Sequence, residues 1–345
     1  MTRHDYAQAG QEAVNYLLRH IQADGSFDYK FHATKGVLPG EYNLLRHAGT
    51  LYALYQWKHI NGMSARDILL TESPLDYLMR RLQHPEHANF MLFVADSSDE
   101  IKLGAVALTL LAMTERSVTG PDKDELKIMQ SFAEFILWMQ EPSGKFISKL
   151  FYDQRQFSSF ESLYYPGEAI LALLRLYNFD PDPRWLQAAV HASDYLLQYP
   201  VLDKKGRRAH NHWFAIALAE LLHLLPREDF QAEFCKIVED TMSTLQNKID
   251  QGASSASLAT RGETIIAALH LEQLQLFPVR IAGLREALDL ALAYCLRLQI
   301  KDEQYPQASA RGGIRKSEHI PLIRIDYVQH TLQVISGVLK SGHFS

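Results

Sequence analysis

Two short runs in this chain carry a glutamate among apolar neighbours: Gly167-Glu168-Ala169-Ile170-Leu171-Ala172 and Gly262-Glu263-Thr264-Ile265-Ile266-Ala267. Each sets one carboxyl on a helix that is otherwise apolar, where an ionised group needs a partner or water. Facing a common ligand, two such carboxyls would serve as acid and base. The plainer alternative is a buried ion pair with Arg46, Arg261 or Arg324. Asp99 is a third candidate acid, in the run Asp96-Ser97-Ser98-Asp99-Glu100; Ser98 or Asp99 also suits a helix N-cap. His212 and His330 complete the catalytic candidates. His330 follows Asp326 by four residues, so on a helix the two share a face and can orient each other. His210 and His212 flank Asn211 at a helix start. Their spacing is poor for a shared helical face and no third ligand is evident, so no metal is expected; no cofactor is expected either.

Around these lie groups suited to holding a ligand. Tyr42, Arg46 and His47 open one apolar helix, although His47 also reads as a satisfied core histidine. Tyr164 and Tyr165 precede Glu168 by one turn, and Trp213 follows the two histidines; their rings can stack on a ligand or pack in the core. Arg261 precedes Glu263. The run Arg311-Gly312-Gly313-Ile314-Arg315-Lys316, continuing to Arg324 and Asp326, gathers cations on a loop whose Gly-Gly pair frees its backbone. Arginine forks bind carboxylate or phosphate. An anionic, polyhydroxylated ligand fits this set.

The elements that must position these residues repeat. An apolar residue, then Gln, then a break, occurs at Gln22, Gln83, Gln140, Gln198, Gln246 and Gln299, at intervals of 61, 57, 58, 48 and 53 residues. Each copy closes a stretch of helical periodicity. Helices are expected over about 5–22, 41–54, 64–83, 100–114, 124–140, 161–177, 183–198, 210–225, 229–246, 258–274, 279–299 and 325–339. They alternate between a half-polar and a mostly buried type. Strand signals are nearly absent, so the chain is all-α: six helical hairpins closing as a ring of repeated units in a single domain over 1–345. Polar stretches precede each buried helix, whose unpaired N–H groups and positive dipole end favour an anionic or hydroxylated ligand at that mouth.

Composition narrows the classes. The 345 residues carry a net charge of −5 and 47% hydrophobic content. That charge, with no basic face, excludes a general nucleic-acid binder. No apolar run is long enough to span a membrane, and the polar start has no apolar signal core. The two cysteines, Cys235 and Cys295, fall at apolar-periodic positions and read as buried reduced thiols in the cytoplasm.

Twelve alternating helices over the whole chain, with the run Tyr164–Tyr177 (YYPGEAILALLRLY), resemble the six-hairpin α/α toroid superfamily. Its members include glycoside hydrolases, uronyl hydrolases, sugar epimerases and polysaccharide lyase domains. The resemblance implies a carbohydrate-active enzyme with its site at the mouth formed by the inner-helix starts. With the cationic loop, it implies an oligo- or polysaccharide substrate carrying an acidic sugar. Two other readings remain. One is a non-catalytic toroid that binds a partner in a polymer or natural-product pathway. The other follows from Gln140–Phe146, which is similar to the helix-end repeat of triterpene cyclases, although Asp96-Ser97-Ser98-Asp99 departs from their acidic motif.

Overall fold

The computed structural model describes residues 1–84, 88, 90–95, 99–116, 119–153, 156–203, 206–274, 281–301 and 305–342. Its helices are α1 (Arg3–Arg19), α2 (Leu44–Asn61), α3 (Ala65–Met79), α4 (Leu103–Arg116), α5 (Lys123–Trp138), α6 (Tyr165–Tyr177), α7 (Pro183–Gln198), α8 (His212–Leu224), α9 (Glu228–Asp250), α10 (Ser255–Gln273), α11 (Leu284–Arg297) and α12 (Ile325–Ser341). Each expected helix is present. The even-numbered helices are buried nearly all round; α4, for instance, hides every residue from Leu103 to Thr114. Eight strands of two or three residues accompany them: β1 (Lys30–His32), β2 (Gly36–Val37), β3 (Leu82–Gln83), β4 (Phe93–Val94), β5 (Glu100–Lys102), β6 (Lys149–Phe151), β7 (Gln156–Phe157) and β8 (Leu322–Arg324). Strands this short show no alternation in sequence, and the fold class stays all-α.

By internal contacts the chain divides into two compact units, Met1–Tyr77 with Val238–Ser345, and Leu78–Ile237. In the first, α12 packs on α2, α10 and α1, and α10 on α11. In the second, α6 packs on α4, α8 and α7, and α4 on α5. Small residues on the buried helices let these neighbours approach. A Cβ at Gly167 would fall 2.5 Å from the Phe214 backbone nitrogen on α8. One at Gly262 would meet Val334 on α12 at 3.0 Å.

The repeated glutamine has a packing task. The Gln140 amide donates to the Ala188 carbonyl in α7 at 2.9 Å, and the Gln299 amide to the Ala9 carbonyl in α1 at 2.8 Å. Each pins the turn after one half-polar helix to the spine of another. Backbone bridges Ile21–Phe27, Gln140–Phe146 and Gln299–Ile314 close these turns. Their glycines lie so near the receiving helix that a Cβ at Gly25, Gly144 or Gly312 would sit 2.2, 2.4 or 2.1 Å from the carbonyl oxygen of Ser73, His191 or Glu12. All three also have positive φ, so glycine is required twice over. The cyclase-like Gln140–Phe146 run is thus accounted for by packing. So is Gly312-Gly313: the pair is pressed against α1 instead of freeing its loop.

Three expectations need correction. The Gln246 copy closes no helix, because α9 runs on to Asp250. The fourth helix starts at Leu103, three residues late, because Glu100–Lys102 is strand β5, paired with β6. Asp99 therefore caps no helix; Ser98, the other cap candidate, lies outside the described residues together with Asp96 and Ser97. Cys295 is buried as expected but Cys235 is only half-buried.

Candidate functional site

In the first unit the candidate residues converge on the heads of α2, α10 and α12. Strand β8 pairs antiparallel with β1, Lys30 opposite Arg324, and runs directly into α12. That continuity sets Arg324 and Asp326 on either side of the helix start. Asp326, with its side chain only 8% exposed, accepts from Arg324 Nη2 at 2.7 Å and from Arg46 Nε at 3.1 Å. Arg46 also donates to the Tyr29 hydroxyl. Tyr29 gave no sequence signal: it sits in a loop, and its partner Arg46 lies on α2.

One turn further along α12, His330 Nδ1 lies 2.8 Å from Glu263 Oε1 of α10. The side chains are 12% and 4% exposed. Burial raises the Glu263 pKa, with the His330 charge and hydrogen bond opposing it. Burial works against the His330 imidazolium, but the charge and hydrogen bond of Glu263 and the charge of Asp326 carry its pKa above the ordinary value. When Nδ1 donates to Glu263, the ring nitrogen able to act as a base is Nε2. Asp326 is held by two arginines, and its charge also acts on His330. Glu263 pairs with that histidine, while Arg261 Nη1 donates to Ser257 O and Oγ on its own helix at 2.7 and 2.9 Å.

His47 is a satisfied core histidine. Phe27 N–H donates to Tyr42 Oη (2.9 Å), Tyr42 O–H to His47 Nδ1 (2.7 Å), and His47 Nε2–H to the Pro74 carbonyl (2.8 Å). The imidazole stacks on Tyr77 at 5.0 Å. This chain of donors ties α2 to α3 and the loop before it, so Tyr42 and His47 are structural here. The cationic loop does not gather. Arg311 reaches Glu12 of α1 (3.4 Å), and Arg315 caps the end of α11 through the Leu298 and Arg297 carbonyls, the usual use of a cation there. Of the loop's arginines, only Arg324 stands with Asp326.

In the second unit, Glu168 lies in the first turn of α6, 2% exposed. Its Oε2 has no hydrogen-bond partner among the described residues. Burial alone pushes its pKa to about 8. The helix start favours the charged form, but removal from water dominates, so the carboxyl is protonated at neutral pH. At the head of α8, the Asn211 side chain caps Phe214 N–H and donates to the Leu163 carbonyl at 2.6 Å. His212 is buried, its ring 6.1 Å from that of His210 and 5.4 Å from that of Tyr164. Trp213 is also buried, and so offers no open stacking face; Tyr165 packs near Phe160. At the head of α4, Glu100 is held by Lys149 (2.5 Å) and Lys102 (3.0 Å). Asp99, at φ 62°, accepts from the Asp153 amide and joins two loops.

No protein-family model and no curated protein sequence matches the chain. Solved structures do match over its whole length. A D-mannose isomerase superposes with TM-score 0.71 at 11% identity, covering 98% of each chain. A cellobiose 2-epimerase from Spirochaeta thermophila gives 0.71 at 12%, covering 99% of this chain and 96% of that one. A family 76 glycoside hydrolase, a mannosidase from Bacteroides thetaiotaomicron, gives 0.70 at 10%, covering 99% and 100%. At such identity the likeness shows the fold. The chain is an (α/α)6 toroid, and its even-numbered helices are the inner ones.

Proposed function

We propose that this chain is a carbohydrate-active enzyme that moves a proton on a neutral sugar, in the manner of a sugar epimerase or isomerase, with its machinery at the heads of the inner helices of one toroid domain. The Glu263–His330 pair carries the reading. A buried imidazole oriented by a carboxylate, its pKa raised by that carboxylate, is a general base for a carbon-bound proton. His330 Nε2 takes the proton from the carbon beside the open-chain carbonyl, giving an enediolate. Return of a proton to the opposite face gives the epimer, and return to the neighbouring carbon gives the ketose. In the second unit, taken by itself, Glu168 is uncharged at neutral pH and has a proton to donate. The whole-length fold likeness to a mannose isomerase and a cellobiose epimerase supports the same reading.

The acidic sugar expected from the loop loses its support, because Arg311 and Arg315 are engaged on α1 and α11 and Arg46 and Arg324 both answer Asp326. Asp99, Arg261 and Trp213 have packing tasks and are left out of the proposed chemistry. Glycoside hydrolysis is the second reading, favoured by Glu168: a protonated carboxyl is what a leaving glycosidic oxygen needs. Neither Cys235 nor Cys295 forms a disulfide, and no described helix is long and apolar enough to cross a membrane. We keep the cytoplasm as the proposed compartment.

Incubation with mannose, glucose and cellobiose in heavy water tests the proposal. Deuterium at C2 with a new epimer or ketose is the expected result by proton NMR. Release of reducing ends from α-mannan without such exchange would transfer the assignment to hydrolysis, and neither reaction on any of these sugars would remove it.

A further inference from the structure

The proposed chemistry uses Glu263 and His330 and leaves the neighbouring group at the start of α12 without a task. Tyr29 immediately precedes β1 in that group. The pairing of Lys30 with Arg324 and the bond from Ile325 N–H to the Tyr29 carbonyl (3.4 Å) dock it on the start of α12. Its side chain reaches Arg46 of α2: Arg46 Nη1 donates to the Tyr29 hydroxyl, and the guanidinium carbon lies 5.9 Å from the ring centroid. Arg46 Nε donates to Asp326 Oδ2 at 3.1 Å. Among the described residues, these two groups are the acceptors of the Arg46 side chain. It is 31% exposed, and a long side chain at that exposure loses rotamer freedom when it is held in one place. Two anchors supply the hold.

The anchors differ in kind. Arg324 is tied to Asp326 twice, Nε to Oδ1 and Nη2 to Oδ2, whereas Arg46 meets that carboxylate once. Arg46 is therefore the cation whose position depends on a second group. Burial raises the Tyr29 pKa, so the hydroxyl is neutral and accepts from Arg46 without cancelling its charge. Asp326 precedes His330 by four residues, on the same face of α12. Burial opposes the His330 imidazolium; the charges of Glu263 on α10 and Asp326 on α12 favour it, and the charge of Arg46 on α2 opposes it. Helices α1 and α11 also pack on α12, and among the described residues no charged group on them ranks with these three. Arg46 is thus placed to offset the pull of Asp326 on the imidazole.

We propose that Tyr29 is a positioning residue: by fixing Arg46 beside Asp326 it keeps a positive charge where it offsets that carboxylate, and so keeps His330 available as a base. The proposal rests on the proton-transfer reading above, but the coupling it names, between the Tyr29 hydroxyl and the charge of His330, is measured without any sugar. Proton NMR titration of the histidine rings in the full chain tests it, with the His330 signal assigned by its loss in His330→Gln. Arg46→Gln should move the His330 midpoint up by roughly half a pH unit to one, the effect of one charge across a partly buried site. Tyr29→Phe keeps the ring and removes only the hydroxyl; it should move the midpoint in the same direction by roughly half as much. Adding Tyr29→Phe to Arg46→Gln should change nothing further, because Tyr29 acts through the guanidinium alone. Asp326→Asn should move the midpoint the other way. The acidic limb of the kcat/KM profile in the heavy-water assay should follow each midpoint. A Tyr29 that only braces the fold would lower the melting temperature and leave midpoint and limb unmoved, which would overturn the proposal. So would a Tyr29→Phe shift that persists in the Arg46→Gln background. Shifted midpoints with no exchange on any sugar would leave the coupling standing and remove the proposed chemistry; exchange with an unmoved midpoint in Tyr29→Phe would do the reverse.

Discussion

Glu168 and Glu263 occupy the same local motif, Gly-Glu ahead of an apolar run, on two inner helices, and they end in different chemical states. Glu263 lies in the third turn of α10, where α12 presents His330 at 2.8 Å. Glu168 lies in the first turn of α6, where the neighbouring α8 backbone presses against Gly167 and no described group hydrogen-bonds Oε2. One carboxyl is hydrogen-bonded to an imidazole. The other keeps its own, at a pKa of about 8. A repeated motif thus places a carboxyl on a buried helix, and the adjoining helix decides what that carboxyl does.

The comparison breaks most visibly at His330. His330→Gln should lower kcat by ~10²–10⁴-fold, the ordinary contribution of a positioned base, with the fold retained by circular dichroism. A smaller loss than tenfold in the heavy-water exchange assay would exclude the histidine as base. Glu263→Gln removes the charge that raises the His330 pKa, so the limb of the pH–rate profile set by that group should move to lower pH. An unmoved limb would separate the two residues.

Glu168 should govern stability. Its folded pKa is raised from the ordinary 4.5 to about 8, so the folded state binds a proton that the unfolded state releases. The contribution is full below about pH 4.5, declines as pH rises through about 8, and is flat above. At about 1.4 kcal/mol per unit, ~3 kcal/mol is lost by neutral pH. Glu168→Gln should flatten denaturant-derived stability across that window and exceed wild type at pH 8. An identical slope in the variant would show that Glu168 is not the neutral buried acid described.

The smallest effects distinguish the two units' helix caps. Asn43 caps Arg46 N–H at 3.3 Å, whereas Asn211 caps Phe214 N–H and also donates to Leu163 O. Asn43→Ala should cost ~1 kcal/mol. Asn211→Ala should cost ~2 kcal/mol, because the half-buried Leu163 carbonyl loses its donor as well. Equal urea midpoints would show that the second bond contributes nothing.

The helices were legible because burial on one face or all faces imprints a 3.6-residue period, and all twelve are present, with several ends shifted, as at α2, α4 and α9. The repeated glutamines were legible as punctuation, though not as donors to Ala188 and Ala9. The strand Glu100–Lys102 was hidden because three residues cannot show alternation, and it displaced the start of α4. Of the candidate residues, Glu168 and Glu263 were singled out by a carboxyl's cost on an apolar helix, and His330 by its spacing from Asp326. Arg311 and Arg315 misled because a cluster of cations in sequence says nothing of which helix end each will meet. Tyr29 lay below notice, being an ordinary aromatic in a short connection.

Sequence alone determined the hairpin count, the alternation of buried and half-polar helices, and the few places where a carboxyl had to be hidden, since each follows from the period and polarity of neighbouring residues along one chain. Tertiary structure decided which hidden carboxyl meets a histidine and which arginines are used up on Asp326. Those outcomes depend on distances of about 3 Å between residues far apart in the chain, which no local pattern encodes.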